Sequence, residues 1–139
     1  MDCRFCELIS LHPDAVLRAG AHTFIVLSDP RLMKGHLLVI PKRHVEKLSE
    51  LTREEREELI DETIRAEEKL LAVFPGCDIS QHFRPFIPDN PLKVSHLHVH
   101  IRPRTLDDEL YLAVQSHEQE IFAPATDAER EEYRKLLQA

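Results

Sequence analysis

Hydrophobic and polar positions change their spacing several times along this chain, and each change marks an element. Thr23-Phe24-Ile25-Val26-Leu27 and residues 35–41 are short apolar runs rich in aliphatic residues, set off by Gly20 and by Ser28-Asp29-Pro30. Those bounds predict two strands, with a third in residues 15–19. Residues 35–41 are almost continuously aliphatic, which predicts a central strand buried on both faces. At Thr52-Arg53-Glu54-Glu55 the pattern switches to a capping box followed by helical spacing, predicting a helix from there to about Phe74, stopped by Pro75-Gly76. Leu59, Ile60, Thr63, Ile64, Ala66, Leu70 and Leu71 form its apolar stripe, and its Glu and Arg residues read as a solvated face. A fourth strand is predicted over residues 79–86, ahead of a proline-rich loop at 87–91. Phe5, Leu8 and Ile9 predict a short helical turn ending at His12-Pro13-Asp14. Beyond Arg104 the spacing predicts helices over residues 106–121 and from a second capping box, Thr126-Asp127-Ala128-Glu129.

The last strand carries the most informative alternation. In Ser95-His96-Leu97-His98-Val99-His100-Ile101-Arg102 the imidazoles fall on one face of an extended chain and the aliphatic residues on the other, with Arg102 continuing the histidine face. Strands grouped before and after one long helix, without regular alternation, predict an α+β domain with a mostly antiparallel sheet.

Composition narrows the function classes. A chain of 139 residues with 42% hydrophobic and 31% charged residues is sized for one compact domain. A net charge of -7 argues against nucleic acid or an anionic membrane as the main partner, while leaving room for a small phosphorylated ligand held by local positive charge. No apolar run approaches the roughly 18 residues of a membrane helix, and Met1-Asp2-Cys3-Arg4-Phe5-Cys6 lacks the layout of a secretory signal, so a cytoplasmic location is expected. Of three cysteines, Cys3 and Cys6 form a C-x-x-C pair, a spacing that two thiolates use to share one tetrahedral zinc. Cys77 is read as a thiol without a role. Three neutral imidazoles about 7 Å apart along a strand can divide metal ligation, nucleophilic attack and proton delivery among them.

The run His96-Leu97-His98-Val99-His100-Ile101-Arg102 resembles the signature of the histidine triad (HIT) family. Cys3-Arg4-Phe5-Cys6-Glu7-Leu8-Ile9 resembles the N-terminal segment of its zinc-containing bacterial-type members, and residues 35–44, Gly35-His36 through Arg43-His44, are similar to its third-strand motif. The resemblance implies a five-stranded antiparallel sheet with one main helix over residues 1–104, to which residues 105–139 add a helical extension packed on the same domain. It implies a homodimer acting on a nucleotide-like small molecule, such as a dinucleoside polyphosphate or nucleoside phosphoramidate. His98 would be the nucleophile toward the α-phosphorus, forming a nucleotidyl-histidine, and His100 would contact phosphate oxygens or the leaving group. Cys3, Cys6, His44 and His96 would hold a structural zinc ion. Phe5, Leu8, Val26, Leu27, Ser28 and Asp29 would form the nucleoside pocket, with His36 buttressing the site.

The chain departs from many members just before the triad, where it reads Asn90-Pro91-Leu92-Lys93-Val94-Ser95 in place of a Gly-Gln-Ser/Thr-Val run. Lys93 and Arg102 are expected to supply the missing phosphate contacts as charges. Two other classes compete with the enzyme: a non-catalytic or weakly active nucleotide-binding, dimeric interaction protein, and a hydrolase using metal-activated water at the triad.

Overall fold

The computed structural model describes residues 3–118 and 122–138. The chain divides into two compact units, Met1–Thr105 and Leu106–Ala139. In the first, α1 (Arg4–Leu11), β1 (Val16–Ala19), β2 (Thr23–Leu27), β3 (Leu37–Pro41), α2 (Arg53–Leu71), β4 (Gly76–Gln81) and β5 (Val99–Arg104) build an α+β domain. Its single five-stranded sheet has the order β1-β2-β3-β5-β4, every neighbouring pair antiparallel. β3 is central, as its unbroken apolar run requires. The second unit carries α3 (Glu109–Glu118) and α4 (Asp127–Gln138), the latter opened by the reciprocal Thr126–Glu129 capping box. The end of the predicted 106–121 helix, residues 119–121, lies outside the described residues.

Alternation along the strands separates two cores. Ile25, Val39, Val99 and Ile101 face α2 and pack with its Leu59 and Ala66, while Phe24, Val26, Leu38 and Ile40 face α1 and pack with Cys3 and Phe5. His98, His100 and Arg102 therefore share the α1 side of the sheet.

Three expectations are corrected. β4 runs over Gly76–Gln81 instead of 79–86, because its ladder ends at Gln81↔Val99, where β5 begins, and Pro85 has no N–H to extend it. The histidine run is not one continuous strand: β5 pairs with β3 only from Val99, and residues 95–98 peel away toward the loop after β3, where the Leu97 amide donates to the Val45 carbonyl at 2.6 Å. On α2, Ile60 and Ile64 are more than half exposed, whereas Glu55 and Glu62 are buried. Those acids are anchors, not a solvated face.

Glu55 takes Arg43 through Nε (3.1 Å) and Nη2 (2.8 Å) while closing the Thr52 capping box. Glu58 accepts from the Ala21 and His22 amides and the Thr23 hydroxyl, and Glu62 takes Arg18 at 2.8 Å. Hydrogen bonding to Arg43, outweighing burial and joined by the Thr52 contacts, holds the Glu55 carboxyl at about 2. Its contribution is complete above the ordinary value near 4.5 and is lost as pH falls toward 2. Glu55→Gln, which keeps the shape but removes the charge, is expected to cost about 2 kcal/mol at pH 7 in urea unfolding. An unchanged midpoint would show that the charge pairing with Arg43 contributes nothing net.

Candidate functional site

The site is assembled where β5 meets the loop between β2 and β3. Gly35 opens β3 at φ +84, a conformation that disfavours side chains, and a Cβ there would come within 3.1 Å of Pro103 Cγ. That tight turn delivers His36, 3% exposed, to the same face as His100.

Hydrogen bonds then fix the imidazole tautomers one after another. The Leu32 amide donates to His36 Nδ1 at 3.2 Å, so the proton of neutral His36 sits on Nε2. That Nε2–H donates to His100 Nδ1 at 2.9 Å, which leaves His100 with its own proton on Nε2. His98 is set the opposite way. Its Nδ1–H donates to the His96 carbonyl at 2.7 Å, leaving the lone pair on Nε2. The rings of His98 and His100 lie 4.7 Å apart, with Phe5 edge-on to His98 at 5.1 Å. One imidazole thus offers a lone pair and its neighbour a proton.

Burial first, then the charges of Arg102 and His98, hold His36 at about 4; burial, His98 and Arg102 take His100 down to about 3. Burial also lowers His98, against its hydrogen bond to His96 and with the Arg102 and Arg4 charges. All three stay neutral near pH 7. Because the unfolded chain binds protons from about 6.5 downward while the folded chain does not, stability is full above 6.5 and declines as pH falls toward 3–4. The slope for each group is at most about 1.4 kcal/mol per pH unit. Replacing His36 by Gln is expected to flatten the urea-unfolding slope between pH 6.5 and 5; an unchanged slope would contradict a neutral buried His36.

Next to the triad, the ligand atoms of Cys3, Cys6, His44 and His96 all lie within 4.8 Å of one another. Cys3 Sγ is 3.3 Å from His96 Nδ1, and Cys6 Sγ is 3.5 Å from both His44 Nδ1 and His96 Nδ1. Thiolate and imidazole ligands on one tetrahedral zinc stand about 3.5 Å apart, so this spacing fits. His96 Nε2–H is committed to the Pro41 carbonyl at 2.8 Å, which frees Nδ1 as a ligand. The cluster could hold a metal ion.

Two cavities meet at the triad. The first, about 440 Å³, is lined by Phe5, Leu8, Val26, Leu27, Ser28, Asp29 and His36 together with His98, His100 and Arg102. Ser28 spends its hydroxyl proton on the Pro30 carbonyl at 2.9 Å, while Asp29 is exposed at the rim. The second, about 380 Å³, is also bordered by His98, His100 and Arg102 and contains Lys93. The Lys93 ammonium donates to the Ile87 carbonyl and lies 3.8 Å from Asp89, so its charge is partly spent within its own loop. Sequence reasoning missed Arg4 and Arg31 in the first cavity and His82 and Arg84 in the second. Arg4 was hidden between the two cysteines. His82 and Arg84 lay inside the strand predicted over 79–86.

A family model described as HIT domain matches residues 12–106. Protein hit of Bacillus subtilis (strain 168) is 32% identical over 112 residues, covering 74% of this chain and 71% of that protein. A HIT family protein from Bacillus anthracis superposes with TM-score 0.74 at 23% identity, over 99% of this chain and 95% of that one. A HIT family hydrolase from Legionella pneumophila gives TM-score 0.59 at 21% identity, over 78% and 98%.

Proposed function

The chain belongs to the HIT domain family, and from that premise we propose that it is a nucleotidyl hydrolase or transferase working through a covalent intermediate on His98. The carrying observation is the opposed pair of tautomers: a lone pair on His98 Nε2 beside a proton on His100 Nε2. A neutral imidazole approaches a phosphate anion without charge repulsion, and its fixed Nδ1–H stabilises the positive ring that forms on attack. The apolar walls of the first cavity suit a nucleoside, with the Asp29 carboxylate at the rim free to accept ribose hydroxyls. Cys3, Cys6, His44 and His96 would hold a structural zinc ion, which supplies no open coordination position and acts by tying the N-terminus to residues 41–45 and to His96.

The test is intact-mass analysis after mixing with a nucleoside phosphoramidate and quenching at alkaline pH, where phosphohistidine survives. A nucleotidyl adduct in the parent and none in His98→Ala is expected. Binding with neither adduct nor product would favour the non-catalytic nucleotide-binding reading.

The same reading includes a homodimer. Ile60 and Ile64 of α2 are exposed, and on β4, which ends the sheet, Ile79, opposite Ile101 and so on the α2 face, is 44% exposed. A second copy covering this face would bury all three. Ile64→Glu is expected to shift a dimeric parent to monomer in light scattering; an unchanged mass would remove this face from consideration.

A further inference from the structure

The second cavity differs from the first in a way that bears on the leaving group. Arg84, His82, Lys93 and Arg102 line it, and among the described residues no carboxylate does. Arg84 is exposed and forms no ion pair among the described residues. Arg102 is half-buried, and its Nε has no hydrogen-bond partner there. Arg84 and Arg104 both press their charge on Arg102; Asp78 offsets them but is itself engaged by Arg104. His82 stacks at 5.1 Å from His100, with its ring held neutral by burial and the Arg84 and Arg102 charges. In a chain of net charge -7, a cavity beside the triad lined by three cationic side chains, with Asp78 and Asp89 outside its lining, is suited to an anionic group.

We infer that this cavity is the leaving-group site and that Arg84 and Arg102 select a leaving group of two or more linked phosphates. The inference rests on the proposed nucleotidyl transfer, with the α-phosphorus at the junction of the cavities, where His98, His100 and Arg102 border both. The His98 Nε2 lone pair forms the N–P bond while the bond from phosphorus to the bridging oxygen breaks. The electron pair leaves on the oligophosphate, a weakly basic leaving group whose departing oxygen accepts a hydrogen bond from His100 Nε2–H. A water oxygen then forms the P–O bond, the N–P electron pair returns to His98 Nε2, and the proton that the water gives up passes to the released oligophosphate. Planar guanidinium groups suit this leaving group because they pair with phosphate oxygens in bidentate fashion, whereas an amine leaving group gains nothing from them.

Arg84→Gln and Arg84→Glu test the assignment against three probes: a nucleoside phosphoramidate with an uncharged amine, a nucleoside triphosphate and a dinucleoside triphosphate. Relative to the phosphoramidate, kcat/KM on the oligophosphates is expected to fall about 10-fold for Gln and about 100-fold for Glu. A fall on both oligophosphates supports the pocket for any source of linked phosphates; a fall on the dinucleoside alone supports it for nucleoside-bearing leaving groups. Inorganic tripolyphosphate binding should weaken in parallel. Equal losses on all substrates with unaltered tripolyphosphate affinity would overturn the assignment while leaving nucleotidyl transfer standing. Arg84-dependent tripolyphosphate binding in a parent that turns over none of the substrates would refute the transfer reading and keep the anion site.

Discussion

His98→Ala should lower turnover of a nucleotide substrate by about 10⁴-fold or more. The magnitude follows from the lack of a substitute. His100 presents a proton, not a lone pair, at Nε2, and its Nδ1 is occupied by His36. His36 is buried with both nitrogens engaged, and His96 is committed to Pro41 and the cysteine cluster. His100→Ala removes a donor and not the proposed nucleophile, so its expected loss is smaller, about 10²- to 10³-fold. The order of the two losses is the useful measurement. Comparable losses at both positions, with no adduct in either variant, would favour attack by water and move the metal-water reading ahead.

Disruption of the Cys3, Cys6, His44 and His96 cluster should produce the largest stability change. Cys3→Ser, or exhaustive chelation of the parent, is expected to lower the melting temperature by about 15 °C or more, because a structural zinc holds folding free energy that the unfolded chain cannot recover. Three chain segments are joined at that cluster: residues 3–6, the loop after β3, and the stretch before β5. Turnover should fall as well, but less than in His98→Ala. The reason is His96, whose ring belongs to the cluster while its carbonyl accepts the His98 Nδ1–H. Loosening His96 therefore loosens the tautomer and aim of His98, the proposed nucleophile. Metal analysis of the parent as purified decides the matter: fewer than half of the molecules carrying zinc, with a melting temperature indifferent to chelator, would sink the structural-zinc reading.

The departure from the family pattern before the triad also takes a different form in three dimensions. Lys93 stands on the expected cavity but spends hydrogen-bonding capacity on Ile87, and the less encumbered charge at that cavity comes from Arg84. A local sequence comparison directs attention to the residues that replace a missing motif. The fold lets a residue several positions away take over the charge.

By itself, the sequence determined the sheet-and-helix architecture, because the period of its apolar positions is a local property: β2, β3 and α2 start and stop where turns, prolines and the Thr52 capping box require. It also determined the triad and the C-x-x-C pair, whose spacing carries chemistry without knowledge of the fold. Tertiary structure decided what depends on partners distant in sequence. Where β5 begins is set by the pull of residues 95–98 toward Val45, Pro41 and the cysteines. Which α2 acids are buried is set by Arg18, Arg43 and the turn after β1. Which imidazole nitrogen keeps its proton is set by a backbone amide at Leu32, 68 positions from His100, acting through His36. Hydrophobic periodicity is written in neighbours along the chain, whereas proton placement and charge pairing are written in neighbours across it.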